Sequence, residues 1–113
     1  MRPSLGCGLS SPTQRSLKLL RDDCWVCWIV EQTIRIPGRT FKRDLFNGFD
    51  LLCVKGSETL AVQTTTLSNL GARIEKLSQN EFVPKLREAG WTLIAHGWRK
   101  LKTGWEAKVV DVS

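Results

Sequence analysis

The sequence predicts an α/β protein: one domain with a mixed central β-sheet flanked by helices. Three observations predict it. Phe49 to Thr66 reads as two strands joined by a tight turn at Lys55-Gly56-Ser57. Apolar stripes at helical spacing lie on both sides of that hairpin, Leu17/Leu20/Cys24 before it and Leu70/Ile74/Leu77 after it. A further apolar run, Trp91 to His96, follows the second stripe, and a helical crossover makes it parallel to the strand before the helix. The predicted order is αβββαβ, an antiparallel meander plus a parallel crossover strand.

The chain has 113 residues, enough for one core and too few for two. Residues 1–11 are expected to form a flexible arm and 12–113 the domain. The opening MRPSLGCGLSSP has no apolar core of signal-peptide length, and no apolar run is long enough to span a membrane. The expectation is a cytoplasmic protein with no membrane partner. Seventeen Lys+Arg against 11 Asp+Glu give a net charge of +6. Such an excess favours an anionic partner such as nucleic acid.

In chain order, Ser11-Pro12-Thr13-Gln14 predicts a capped helix start. Trp25 to Val30 is apolar without a break, which predicts a strand covered on both faces. Its two cysteines, Cys24 and Cys27, fit reduced thiols better than a zinc or redox pair, because no second CxxC follows and His96 is the only histidine. Gln32 to Gly48 reads as an irregular basic connection carrying Arg35, Arg39, Lys42 and Arg43. After the hairpin, Ser68 or Asn69 is expected to cap a helix. A second helical piece runs from Glu81 to Ala89, with Asn80 as cap and Gly90 as stop. Trp105 to Val112 is expected to form a final edge strand.

A meander brings the end of its first strand (Glu31), the start of its second (Asp50) and the end of its third (Gln63, Thr64, Thr65) to one edge of the sheet. The helix after the third strand starts at that edge, so Ser68 and Asn69 lie where free N–H groups favour a phosphate. The crossover strand delivers His96 to Lys100 to the same edge, including Arg99 and Lys100.

This arrangement resembles the PD-(D/E)XK, or restriction-endonuclease-like, nucleases, and among them the small Holliday-junction-resolvase-like enzymes of archaea and phages. The residues that carry the resemblance are Gly48-Phe49-Asp50-Leu51-Leu52 and Ala61-Val62-Gln63-Thr64-Thr65, with the helix after them. Asp50 matches the acid that opens the family's second strand. Gln63 stands where the family has its second acid, and Thr65 where it has its lysine. The resemblance implies a metal-dependent DNA endonuclease using Mg²⁺ or Mn²⁺. It implies Asp50, Gln63, Thr65 and Glu31 as catalytic residues and Asp50, Gln63 and the Thr64 carbonyl as the metal site. The expected partner is DNA, branched DNA included, held by Arg35, Arg39, Lys42, Arg43, Ser68, Asn69, Arg99 and Lys100. A homodimer is implied by resemblance alone.

Two other readings stay open: a nucleic-acid-binding module without catalysis on the same fold, and a basic protein-interaction domain. Each residue also has a structural reading. Asp50 fits a buried turn acid, Gln63 to Thr66 a polar strand ladder, and His96 a structural donor.

Overall fold

The computed structural model describes residues 11–113. The arm expected over residues 1–11 lies outside them except for Ser11, as does Cys7. Helix α1 spans Pro12–Asp22, with Pro12 in its first turn. The Ser11 hydroxyl accepts the Gln14 backbone N–H at 3.1 Å, relieving one of the unpaired donors of the helix start. Leu17 and Leu20 are buried. Cys24, expected on the same stripe, lies past the helix end, exposed and at φ +68°. Asp23 and Cys24 donate to Leu20 and Arg21 carbonyls, so the chain tightens and leaves the helical path there.

Strand β1 spans Val26–Ile29, β2 Gln32–Ile36 and β3 Arg39–Arg43. Strands β2 and β3 form a separate two-stranded antiparallel ribbon. The segment expected to be irregular is therefore a hairpin. Its turn is Pro37-Gly38, where Gly38 takes φ +84° and the chain reverses.

Strand β4 spans Leu51–Lys55 and β5 Glu58–Thr66. Helix α2 covers Leu67–Ser78 and α3 Val83–Glu88. Strand β6 spans Thr92–Leu101 and β7 Gly104–Asp111. The main sheet has the order β1-β4-β5-β6-β7. Strands β1, β4 and β5 are the expected meander, β5 and β6 pair in parallel, and β7 closes one edge antiparallel.

Several boundaries differ from expectation for local reasons. Strand β1 is the other edge of the sheet, and α1 covers one of its faces. Cys27 is buried, whereas Val26 is 69% and Trp28 73% exposed. The cap residue of α2 is Thr66, still extended at φ −82° and ψ 156°. Ser68 and Asn69 fall inside the exposed first turn, with Ser68 Oγ 3.1 Å from Thr66 Oγ1. Asn80 accepts the Phe82 N–H at 2.7 Å in the turn before α3, which delays that helix to Val83. Strand β6 runs past His96 to Leu101, because β7 supplies an antiparallel partner from Ile94 to Leu101.

Two cores sandwich the sheet. Leu17 and Leu20 of α1 pack on Cys27, Leu51, Cys53, Leu60 and Val62. On the other face, Leu77, Val83 and Leu86 pack on Phe49, Ala61 and Leu93. Helix α2 crosses β6 at Gly97, where an added Cβ would stand 2.8 Å from Leu70 Cδ2. Among the described residues, no helix is long and apolar enough to cross a membrane.

A buried polar group joins α1 to β6. Trp98 Nε1 donates to Ser16 Oγ at 2.8 Å, and Ser16 Oγ lies 2.8 Å from His96 Nδ1. The hydroxyl accepts from Trp98 and is also paired with His96 Nδ1, so one oxygen serves both rings. Burial pushes the His96 pKa down to about 4. His96 thus serves as a structural hydrogen-bond partner at the helix–sheet seam. Trp98 is core, whereas Trp105 is half-exposed, with the Arg15 guanidinium 3.4 Å from its ring centroid.

Candidate metal centre

Asp50 is the last residue before β4 and is 5% exposed. Its backbone is held on both sides. Its N–H donates to the Val62 carbonyl at 2.8 Å, and its carbonyl accepts from Val30 N–H at 2.9 Å. This double tether fixes the side chain at the end of the sheet. Its Oδ2 accepts three hydrogen bonds, from Thr64 N–H at 2.9 Å, Thr64 Oγ1 at 2.9 Å and Gln63 Nε2 at 3.0 Å.

Thr64 Oγ1 spends its only proton on Asp50 and lies 2.9 Å from Thr13 Oγ1. Thr13 is therefore the donor in that pair, which ties the first turn of α1 to the site. Gln63 is buried, and its amide nitrogen also donates to the Thr64 carbonyl at 3.1 Å. The Thr64 carbonyl is thus turned towards that amide.

Two further acids approach Asp50. Glu31 precedes β2, and Asp44 follows β3. Because Gln32 pairs with Arg43, these acids face each other at the base of the ribbon. One carboxylate oxygen from each of Glu31, Asp44 and Asp50 lies within 4.8 Å of the others. Burial pushes the Asp50 pKa up to about 6. The Thr64 N–H pulls it down, Asp44 pushes it up, the Thr64 hydroxyl pulls it down and Glu31 adds a smaller push.

The three acids open into a cavity of about 380 Å³, lined also by Ser11, Pro12, Thr13, Gln63, Thr64 and Arg73. Three convergent carboxylates form a hard-oxygen donor set that can hold a metal ion. Arg73 of α2 supplies the cationic side chain of the cavity wall.

The other expected site residues lie elsewhere. Thr65 is buried opposite Gly97 of β6 and does not line the cavity. Ser68 and Asn69 do not line it either. Arg35, Arg39 and Arg43 are exposed on the ribbon, and Lys42 pairs in register with Thr33. Arg99 and Lys100 are exposed on the β6–β7 extension. Arg99 binds Glu106 there, Nη2 to Oε1, at 2.8 Å.

Asp44, Arg73 and Thr13 were not legible as site residues. Reading the ribbon as a hairpin would have found Asp44, since its register sets Asp44 opposite Glu31. Comparison with protein-family models, curated proteins and solved structures finds no match for this chain.

Proposed function

We propose that this chain is a metal-dependent DNA endonuclease, hydrolysing phosphodiesters with Mg²⁺ or Mn²⁺ in the manner of the resolvase-like enzymes it resembles. The carrying observation is the meeting of Glu31, Asp44 and Asp50 around one cavity, beside Arg73 and below an arginine-bearing ribbon. Hard oxygen donors suit Mg²⁺ and Mn²⁺, and DNA suits the net charge of +6.

The three carboxylates would hold the cation, which supplies charge neutralisation at the phosphate and acidifies water. The chain's own groups do the rest. Thr64 fixes the Asp50 carboxylate through two hydrogen bonds to one oxygen, leaving Oδ1 for the cavity. Arg73 balances negative charge as it builds on the phosphate oxygens. Glu31, partly buried, would take the proton of the attacking water on the oxygen not given to the cation, as the water oxygen bonds to phosphorus, and return it to the ester oxygen that departs.

A cleavage assay on linear, single-stranded and branched DNA tests this reading. Cleavage should require Mg²⁺ or Mn²⁺, stop with chelator, and fall at least ~100-fold in Asp44→Asn. Metal-independent cleavage, or full activity in that variant, would sink it. One observation favours a binding module without catalysis: the Gln63 amide, not a second carboxylate, faces Asp50. That reading expects DNA binding with no cleavage under any metal.

A further inference from the structure

The ribbon of β2 and β3 is a sheet of its own. Residues 32–43 carry four basic residues and no acid. Arg35, Arg39 and Arg43 are all exposed, and no ion pair involving them is recorded among the described residues. Arg39 lies 5.1 Å from the Phe41 ring centroid, a contact that leaves its charge exposed, and exposed arginines on a hairpin without a recorded carboxylate partner point to an anionic partner.

The register sorts the arginines by face. Directly paired residues share a face, and neighbours along a strand alternate. Arg39 pairs with Ile36, and Arg43 with Gln32, which sets both on one face. Arg35 pairs with Thr40 and lies on the other. The two faces thus carry positive charge on opposite sides of the same thin ribbon. Near the tip, Arg35 and Arg39 flank the Pro37-Gly38 turn, and Ile36 is 46% exposed beside them.

We propose that this ribbon enters the major groove of B-form duplex DNA tip-first, with each face against one phosphate wall. The proposal rests on the reading of the chain as a DNA-binding protein and names the form of DNA it takes. A ribbon with side chains on both faces is about 10 Å thick. The B-DNA major groove is about 12 Å wide and admits it, whereas the minor groove, about 6 Å wide, does not. The major groove of an RNA duplex is deep and too narrow for side chains to read. A single strand offers one backbone and cannot engage both faces. Arg35 meets one strand's phosphates and Arg39 the other's, while Arg43 at the ribbon base reaches the backbone beyond the groove.

Fluorescence anisotropy with the full chain in chelator tests the proposal without calling on the metal site. The probes are a labelled DNA duplex, the RNA duplex of the same sequence and the single strand. The DNA duplex should bind at least ~10-fold tighter than either, and affinity should fall with salt. The double variant Arg35→Ala/Arg39→Ala should flatten the log–log salt slope by about 2, with an unchanged melting temperature. Glucosylated hydroxymethylcytosine, which fills the major groove, should weaken wild-type binding, and a minor-groove drug should not. Equal affinity for DNA and RNA duplexes, an unchanged slope, or competition by the minor-groove drug would overturn the proposal. So would binding only to anionic vesicles or acidic protein. Failure of cleavage in metal leaves these results untouched, so the two readings fail separately.

Discussion

Gln63 Nε2 stands 3.0 Å from Asp50 Oδ2 and donates a hydrogen bond to it inside the protein. The amide thus offers a proton to the carboxylate, where the proposed nuclease reading calls for a second negative charge. It also bonds the Thr64 carbonyl, so one side chain links two neighbouring acceptors.

Gln63→Glu replaces that donor with a second carboxylate in a buried place. In chelator the variant loses two hydrogen bonds and gains repulsion with Asp50. A loss of about 2 kcal/mol is expected, which is roughly 10 °C in melting temperature for a small domain. Mn²⁺ should restore much of it, because a cation offsets the added charge. Thermal melts with and without Mn²⁺ read this directly.

Two buried groups set opposing pH dependences. Asp50 is raised from 3.8 to about 6, so between these values the folded chain holds the proton more tightly than the unfolded one. Its contribution is largest below pH 4 and is lost as pH rises through 6. His96 is lowered from 6.5 to about 4, so there the unfolded chain holds the proton. Its contribution is full above 6.5 and is lost as pH falls towards 4. The two slopes nearly cancel between pH 4 and 6.5. Asp50→Asn removes one of them, so metal-free stability of that variant should rise with pH across this window by about 2–3 kcal/mol. Denaturant unfolding at several pH values checks the sign.

Ser16→Ala strips the shared partner from Trp98 and His96. Both ring nitrogens then lie buried without a bond, and a loss of about 1–3 kcal/mol is expected. The near-ultraviolet circular dichroism of Trp98 should change as well, while DNA affinity should not. A variant as stable as wild type would contradict the buried tether between α1 and β6.

Much of this architecture was readable from residue order. Gly56 at φ +59° sets the turn between β4 and β5, and the alternation of Thr59 to Thr66 sets the register that pairs the start of β4 with the end of β5. Those two facts suffice to bring Asp50 beside Gln63. The ribbon was hidden because both its faces meet solvent. Each strand is only five residues long, so the alternation of Ile34 and Ile36 with Thr33 and Arg35 is too short to stand out among basic residues and turn signals, and Asp44 was hidden with it. The unbroken run at β1 misled for a different reason. Local sequence does not tell which face of a strand a helix will cover: Trp28 lies on the face away from α1, as does Val54 of the central β4, 43% exposed.

The most direct measurement is a calorimetric titration of Mn²⁺ into the wild type and into Glu31→Gln, Asp44→Asn and Asp50→Asn at pH 7.5. One saturable site in the wild type, weakened at least ~10-fold in each variant, is expected from three shared carboxylates. Circular dichroism of the variants confirms that each stays folded. Absence of saturable binding to the wild type, or unchanged affinity in all three variants, would contradict a metal centre at Glu31, Asp44 and Asp50.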